Sequence, residues 1–133
     1  MDAITVYRGS FRPSAQLERP YVMLGFNVFA ADTEDDARLL ASSAQQGFLN
    51  LRRGQPRQVQ PPVSNFEEQL TAAERELLGQ VLACSAIGTE DVVRRKLIDF
   101  IGLTNADEVM IASMIYDHSA RVRSYEIAAQ AAS

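Results

Sequence analysis

The chain has 133 residues, the size of one compact domain spanning 1–133 and not two. Its 47% hydrophobic and 23% charged residues are ordinary for a globular protein, and a formal charge of −4 argues against nucleic-acid or anionic-membrane partners, whose fields repel an acidic chain. A single cysteine excludes an intrachain disulfide and fits a cytoplasmic location, and neither a secretory leader at Met1-Asp2-Ala3 nor a bilayer-length apolar run is expected.

Ala3 to Tyr7 reads as a short strand or a helix end, and Arg12-Pro13-Ser14 breaks it. Tyr21 to Ala30 predicts a strand whose two alternating sets, Val22, Leu24, Phe26, Val28 and Tyr21, Met23, Gly25, Asn27, Phe29, are both mostly apolar, so both faces should be buried. Thr33 predicts an N-cap, with Glu34, Asp35 and Asp36 at the positive end of the following helix. Ala37, Leu40, Ala41, Ala44, Phe48 and Leu51 form its apolar stripe, and Gly54 stops it. Residues 54–66 carry Pro56, Pro61 and Pro62 among glutamines and predict an insertion loop longer than a connector needs, either a lid or an extended surface crossing.

Thr71-Ala72-Ala73-Glu74 matches a capping box, and the helix it opens should face inward with Leu77, Leu78, Val81 and Leu82. A short strand is expected over Ala83 to Ile87, then a helix capped by Thr89 with Val93, Leu97, Phe100 and Ile101 inward. Val109 to Ile115 predicts another strand apolar on both faces, and Asp117-His118-Ser119 turns into a last helix bearing Val122, Tyr125 and Ala129. Alternating helices and doubly apolar strands imply an α/β fold with a parallel sheet covered by helices. Its ligand rim lies at the strand C-terminal ends, which should gather Asp32, Ser85 to Thr89 and Asp117-His118.

Several phrases then resemble the luciferase-like monooxygenases. They are Phe11-Arg12-Pro13-Ser14 with Arg19-Pro20-Tyr21-Val22-Met23, Ala30-Ala31-Asp32-Thr33, Phe48 to Gly54, and Pro61-Pro62-Val63. Ile87-Gly88-Thr89-Glu90-Asp91-Val92 is similar to the family's glycine turn, with Glu90 standing where that family usually has Pro, and Ala106 to Met110 with Ile115 to Tyr125 resembles its last strand and helix. The ordered set, rather than any one phrase, carries the resemblance. It implies the C-terminal part, about three βα units, of a TIM-type (β/α)8 barrel. It also implies an intact enzyme that uses reduced flavin, FMN or in some branches F420, with oxygen on a small organic substrate. A barrel needs eight strands, so the resemblance places much of the flavin site outside this chain and leaves the isolated chain with no cofactor of its own.

Each candidate site residue has two readings. His118, the one histidine, suits proton transfer or a hydrogen bond to flavin, or simply opens a helix. Gly88 and Thr89 could hold a phosphate at a helix N-terminus, or form a glycine turn with a cap. Asp32, Ser85 and Asp117 are expected on the substrate rim. Cys84, flanked by Ala83, Ala86 and Ile87, reads as a buried structural thiol, and one histidine with one cysteine makes no metal cluster. The alternative to a flavin-enzyme segment is a stand-alone, non-catalytic α/β module acting in oligomerisation or interaction. Under either, a three-strand slice exposes sheet edges and apolar faces, so a homo-oligomer is expected.

Overall fold

The computed structural model describes residues 2–133; Met1, the first residue of the expected domain, lies outside the described residues. Residues 2–10 form a helix, α1 (Asp2–Ser10), which resolves the open choice at Ala3 to Tyr7. It docks at the lower end of the sheet: the Tyr21 amide donates to the Tyr7 hydroxyl, and Arg8 donates to the Asn105 carbonyl at 2.7 Å. Then follow β1 (Met23–Ala30), α2 (Glu34–Arg52), a 3-10 turn (Phe66–Gln69), α3 (Ala72–Val81), β2 (Ser85–Gly88), α4 (Glu90–Thr104), β3 (Glu108–Ala112) and α5 (His118–Ala131).

The helix starts follow local chemistry. Thr33 Oγ1 accepts from the Asp36 amide, and Thr71 and Glu74 close the expected reciprocal capping box. Asp117 accepts from the Ala120 amide at 2.8 Å. Thr89 stands at the N-cap position of α4 with extended backbone, yet its hydroxyl makes no capping bond.

Among the described residues the sheet has three parallel strands in the order β2-β1-β3. Consecutive strands of a barrel would put β2 in the middle; here β1 is central. The reason lies in the side chains. β1 is the strand whose two faces are both deeply buried toward its end: Phe26, Val28 and Ala30 pack with Val93, Leu97, Ile127 and Ala128, while Phe29 packs on the other face with Ala41, Ala44 and Ile115. Burying each such large side chain stabilises the fold by about 1.5–3 kcal/mol, so the central place goes to β1. β3 has exposed Glu108, Met110 and Ala112 on one face and suits an edge. The β1-to-β2 and β2-to-β3 crossovers run in opposite directions along the sheet, which right-handed connections turn into α2 on one face and α4 on the other, with α5 packed beside α4. Leu49, Leu70 and Leu78 pin α3 against α2.

Several inward assignments shift. Leu51 is exposed and Leu49 takes its place in α2; Ile101 of α4 and Val81 of α3 are exposed. In α5 the buried set is Ser124, Ile127, Ala128 and Ala131, while Val122, Tyr125 and Ala129 face outward. The helix is nearly as apolar around its circumference as along any stripe, so periodicity there selects no face. Cys84, expected buried, is exposed, because α3 ends at Val81 and residues 82–84 form a turn before β2 begins.

Candidate functional site at the strand ends

The upper end of β1 is held by side chains in place of a neighbouring strand. β3 pairs with β1 only from Met23 to Asn27. Beyond that, Ser113 Oγ donates to the Val28 carbonyl at 2.6 Å, and Ser124 Oγ accepts from the Ala30 amide at 3.0 Å. The two hydroxyls stand 3.3 Å apart, and both serines are buried. The Ser113 amide in turn donates to the Tyr125 hydroxyl. These hydroxyls close the split that opens where the chain switches sides of β1, the place where ligand crevices form in such sheets. Nothing in the sequence pattern singled them out: a serine between apolar neighbours has no distinctive spacing.

Just above, the Ala31 amide donates to the Gly88 carbonyl, joining the ends of β1 and β2. Asp32 accepts from Arg123 of α5 at 2.7 Å, and Arg123 also donates to Glu126 at 3.2 Å. The hydrogen bond from Arg123, and then its positive charge, hold the Asp32 carboxyl below its ordinary range and raise the guanidinium. The ion pair divides two shallow clefts. One, of about 230 Å³, is walled by Thr89, Glu90, Asp91 and Gln130; the other, of about 250 Å³, by Asp36, Leu39, Leu40 and Ala120. Asp32 is thus on the rim as expected, and Arg123 is the residue that sequence reasoning missed.

The remaining candidates separate. Gly88 and Thr89 reach the same rim. A Cβ on Gly88 would lie 2.8 Å from Val92 Cβ and Cγ1, so contact with α4 alone explains the glycine. Asp117 is the N-cap of α5. His118 is exposed, lines neither rim cleft, and its Nδ1 accepts from Arg121 at 2.9 Å, which places the neutral ring's proton on Nε2. Ser85 does not reach the rim: it opens β2 opposite Asn27, while Gly88 at the other end pairs with Ala30, and its hydroxyl donates to the Leu82 carbonyl. The 54–66 segment lies back along α2, with the Val63 amide on Ser42 Oγ and Gln46 on the Pro61 carbonyl. It lines neither rim cleft, and its last residues instead wall a larger groove of about 640 Å³ against Asp35, Asp36 and Arg38.

A flavin phosphate does not fit the start of α4. Its first-turn amides and the unused Thr89 hydroxyl are suitable donors, but Glu90 and Asp91 put carboxylates beside them, and the cations nearby are already engaged, Arg94 by Glu90 and Arg123 by Asp32 and Glu126. Among the described residues no group of three or more His, Cys, Asp or Glu is placed to hold a metal ion, and no helix is long and apolar enough to cross a membrane.

No family model matches the chain. It is 41% identical over 126 residues to a luciferase-like monooxygenase of Escherichia coli (strain K12), covering 95% of this chain and 38% of that protein. It is also 41% identical over 127 residues to the uncharacterized protein YvbT of Bacillus subtilis (strain 168), again at 38% of the relative's length. The solved structure of apo-MsnO8 superposes over 98% of the chain and 40% of its own, with a TM-score of 0.72 at 24% identity. The chain therefore spans under two fifths of the length of the curated relatives it matches.

Proposed function

We propose that the chain, similar along 95% of its length to a luciferase-like monooxygenase of which it spans 38%, is the C-terminal segment of a flavin-dependent monooxygenase and contributes part of the rim beside the cofactor. The observation that carries this reading is the 41% identity running over 95% of the chain. The intact enzyme would use reduced flavin, FMN in preference to F420, and oxygen on a small organic substrate. The flavin carries that chemistry, and the protein positions it and controls access. Because the start of α4 does not suit a phosphate, the phosphate-binding groups belong to the part of the enzyme this chain does not span. On this segment, Asp32 and Arg123 offer an ion pair at the strand ends.

The second reading, a stand-alone non-catalytic module, is favoured by one observation: the C-terminal half of β1 is covered on both faces by the chain's own helices, so the described residues already possess a core. One experiment separates the two. The chain is joined to the part of the E. coli relative that it does not match, and FMN binding is followed by fluorescence quenching, beside the chain alone. The expected result is stoichiometric binding by the chimera, oxygen consumption when reduced FMN is supplied, and weak or absent binding by the chain alone. A chimera that unfolds cooperatively yet takes up no FMN would exclude the enzyme reading.

A further inference from the structure

Arg123, Ser124 and Tyr125 are consecutive on α5, and each grips a different part of the chain. Arg123 donates to Asp32 Oδ1 at 2.7 Å, Ser124 Oγ accepts from the Ala30 amide at 3.0 Å, and the Tyr125 hydroxyl accepts from the Ser113 amide at 3.1 Å. Successive residues of a helix point about 100° apart, so the three bonds clasp α5 over more than half of its circumference. The buried bond and the exposed one meet the same stretch of chain. Ala30 and Asp32 are two residues apart, and between them the Ala31 amide is tied to the Gly88 carbonyl.

Two carboxylates share Arg123. Glu126 rides on the same helix, accepts at 3.2 Å, and stays within reach wherever α5 stands. Asp32 belongs to the chain leaving β1 and is met only if α5 is seated where it is. Both carboxylates are exposed, and an exposed ion pair is worth little by itself because long side chains must be held still. The placement of the helix therefore decides whether Arg123 serves Asp32.

We propose that Ser124 and Tyr125 are positioning residues, which seat α5 on the end of β1 so that Arg123 reaches Asp32 and is not left to Glu126 alone. The consequence falls on the rim. Asp36 of α2 and Glu90 and Asp91 of α4 line the same two clefts as Asp32, and Arg123 is the one cation lining them among the described residues. Without Arg123, Asp32 would face only like charges. With it, one carboxylate oxygen is tied, and Oδ2, which makes no hydrogen bond among the described residues, stays available to a donor on a ligand. That use of Asp32 rests on the reading of this rim as the one beside the cofactor. The seating of Arg123 does not, and is measured on the chain alone.

Carbon-13 carboxyl shifts followed against pH test it, on the wild type, Ser124→Ala, Tyr125→Phe and Arg123→Gln. Glu74 serves as internal reference: its carboxyl is also held low, by the Thr71 amide and then Arg53, on α3, which packs on α2. In the wild type Asp32 should titrate below the ordinary aspartate range, through the hydrogen bond from Arg123 and then its charge. Ser124→Ala should raise the Asp32 midpoint at least half of the way to its value in Arg123→Gln, and Tyr125→Phe should raise it by less, with Glu74 unmoved in both. An Asp32 midpoint that keeps its wild-type value in Ser124→Ala means that Arg123 finds Asp32 unaided, and overturns the proposal. A joint rise of Asp32 and Glu74 is general loosening, and overturns it too. Tyr125→Phe, at a half-exposed position, decides in the same terms should Ser124→Ala not fold. No flavin is present, so the outcome is independent of whether the chimera takes up FMN.

Discussion

Replacing Ser124 by alanine removes the acceptor that holds the Ala30 amide, and its cost can be worked from the structure. Ala30 and Ser124 are both fully buried, so no water can take the vacated place. A buried donor left unpaired costs about 1–3 kcal/mol, whereas loss of an ordinary hydrogen bond costs about 0.5–1.5 kcal/mol. Ser113→Ala belongs to the second class, because the Val28 carbonyl that Ser113 serves also accepts from Ser124 at 3.3 Å. Ser124→Ala should therefore be the more damaging, at about 2 kcal/mol against about 1 kcal/mol. Unfolding entropy near 2.1 cal/mol/K per residue converts 2 kcal/mol into a Tm lower by about 7 °C for a chain of this length. Urea and thermal unfolding of both variants at one protein concentration measure this; the concentration is held fixed because an oligomer's midpoint depends on it. If Ser113→Ala costs as much as Ser124→Ala, or if Ser124→Ala costs less than about 0.5 kcal/mol, the hydroxyls do not hold the end of β1 in the way described.

Three further outcomes are expected. Gly88→Ala drives a methyl into Val92 and should destabilise by about 1–3 kcal/mol in urea unfolding, while Gly79→Ala, with open space at its Cβ, should not destabilise. The Glu74 carboxyl is held below its ordinary range first by the Thr71 amide and then by Arg53. Its folded value is the lower one, so its contribution is complete above the ordinary glutamate pKa and is lost as pH falls through the folded value. Acid titrations of unfolding should therefore show a shallower fall for Glu74→Gln than for the wild type over that interval. Cys84 is exposed and should react with a thiol reagent in the native protein as fast as it does in the denatured chain; a thiol that titrates only in denaturant would contradict the turn at residues 82–84.

Two caps were legible because they are local. Thr33 and the Thr71 to Glu74 box each bond a backbone amide three residues on, so side-chain type and spacing suffice, whereas the expected cap Thr89 makes no such bond. Burial on α5 was not legible. Its apolar residues do not fall on one stripe, and which of them turn inward depends on where α4 and β1 stand. The Asp32–Arg123 pair spans 91 positions, and no short-range pattern reports such a partnership.

Alternating helices and doubly apolar strands, read from periodicity alone, were enough for the parallel α/β character and for the rim position of Asp32, Gly88 and Thr89, because strand direction and handed crossovers follow from local chirality. Strand order was decided only in the tertiary structure. A parallel sheet will accept its strands in several sequences, and the choice falls to whichever strand loses most by leaving one face in water. Here that strand is β1, and the same choice sends β3 to the edge and splits the sheet where Ser113 and Ser124 must bridge it.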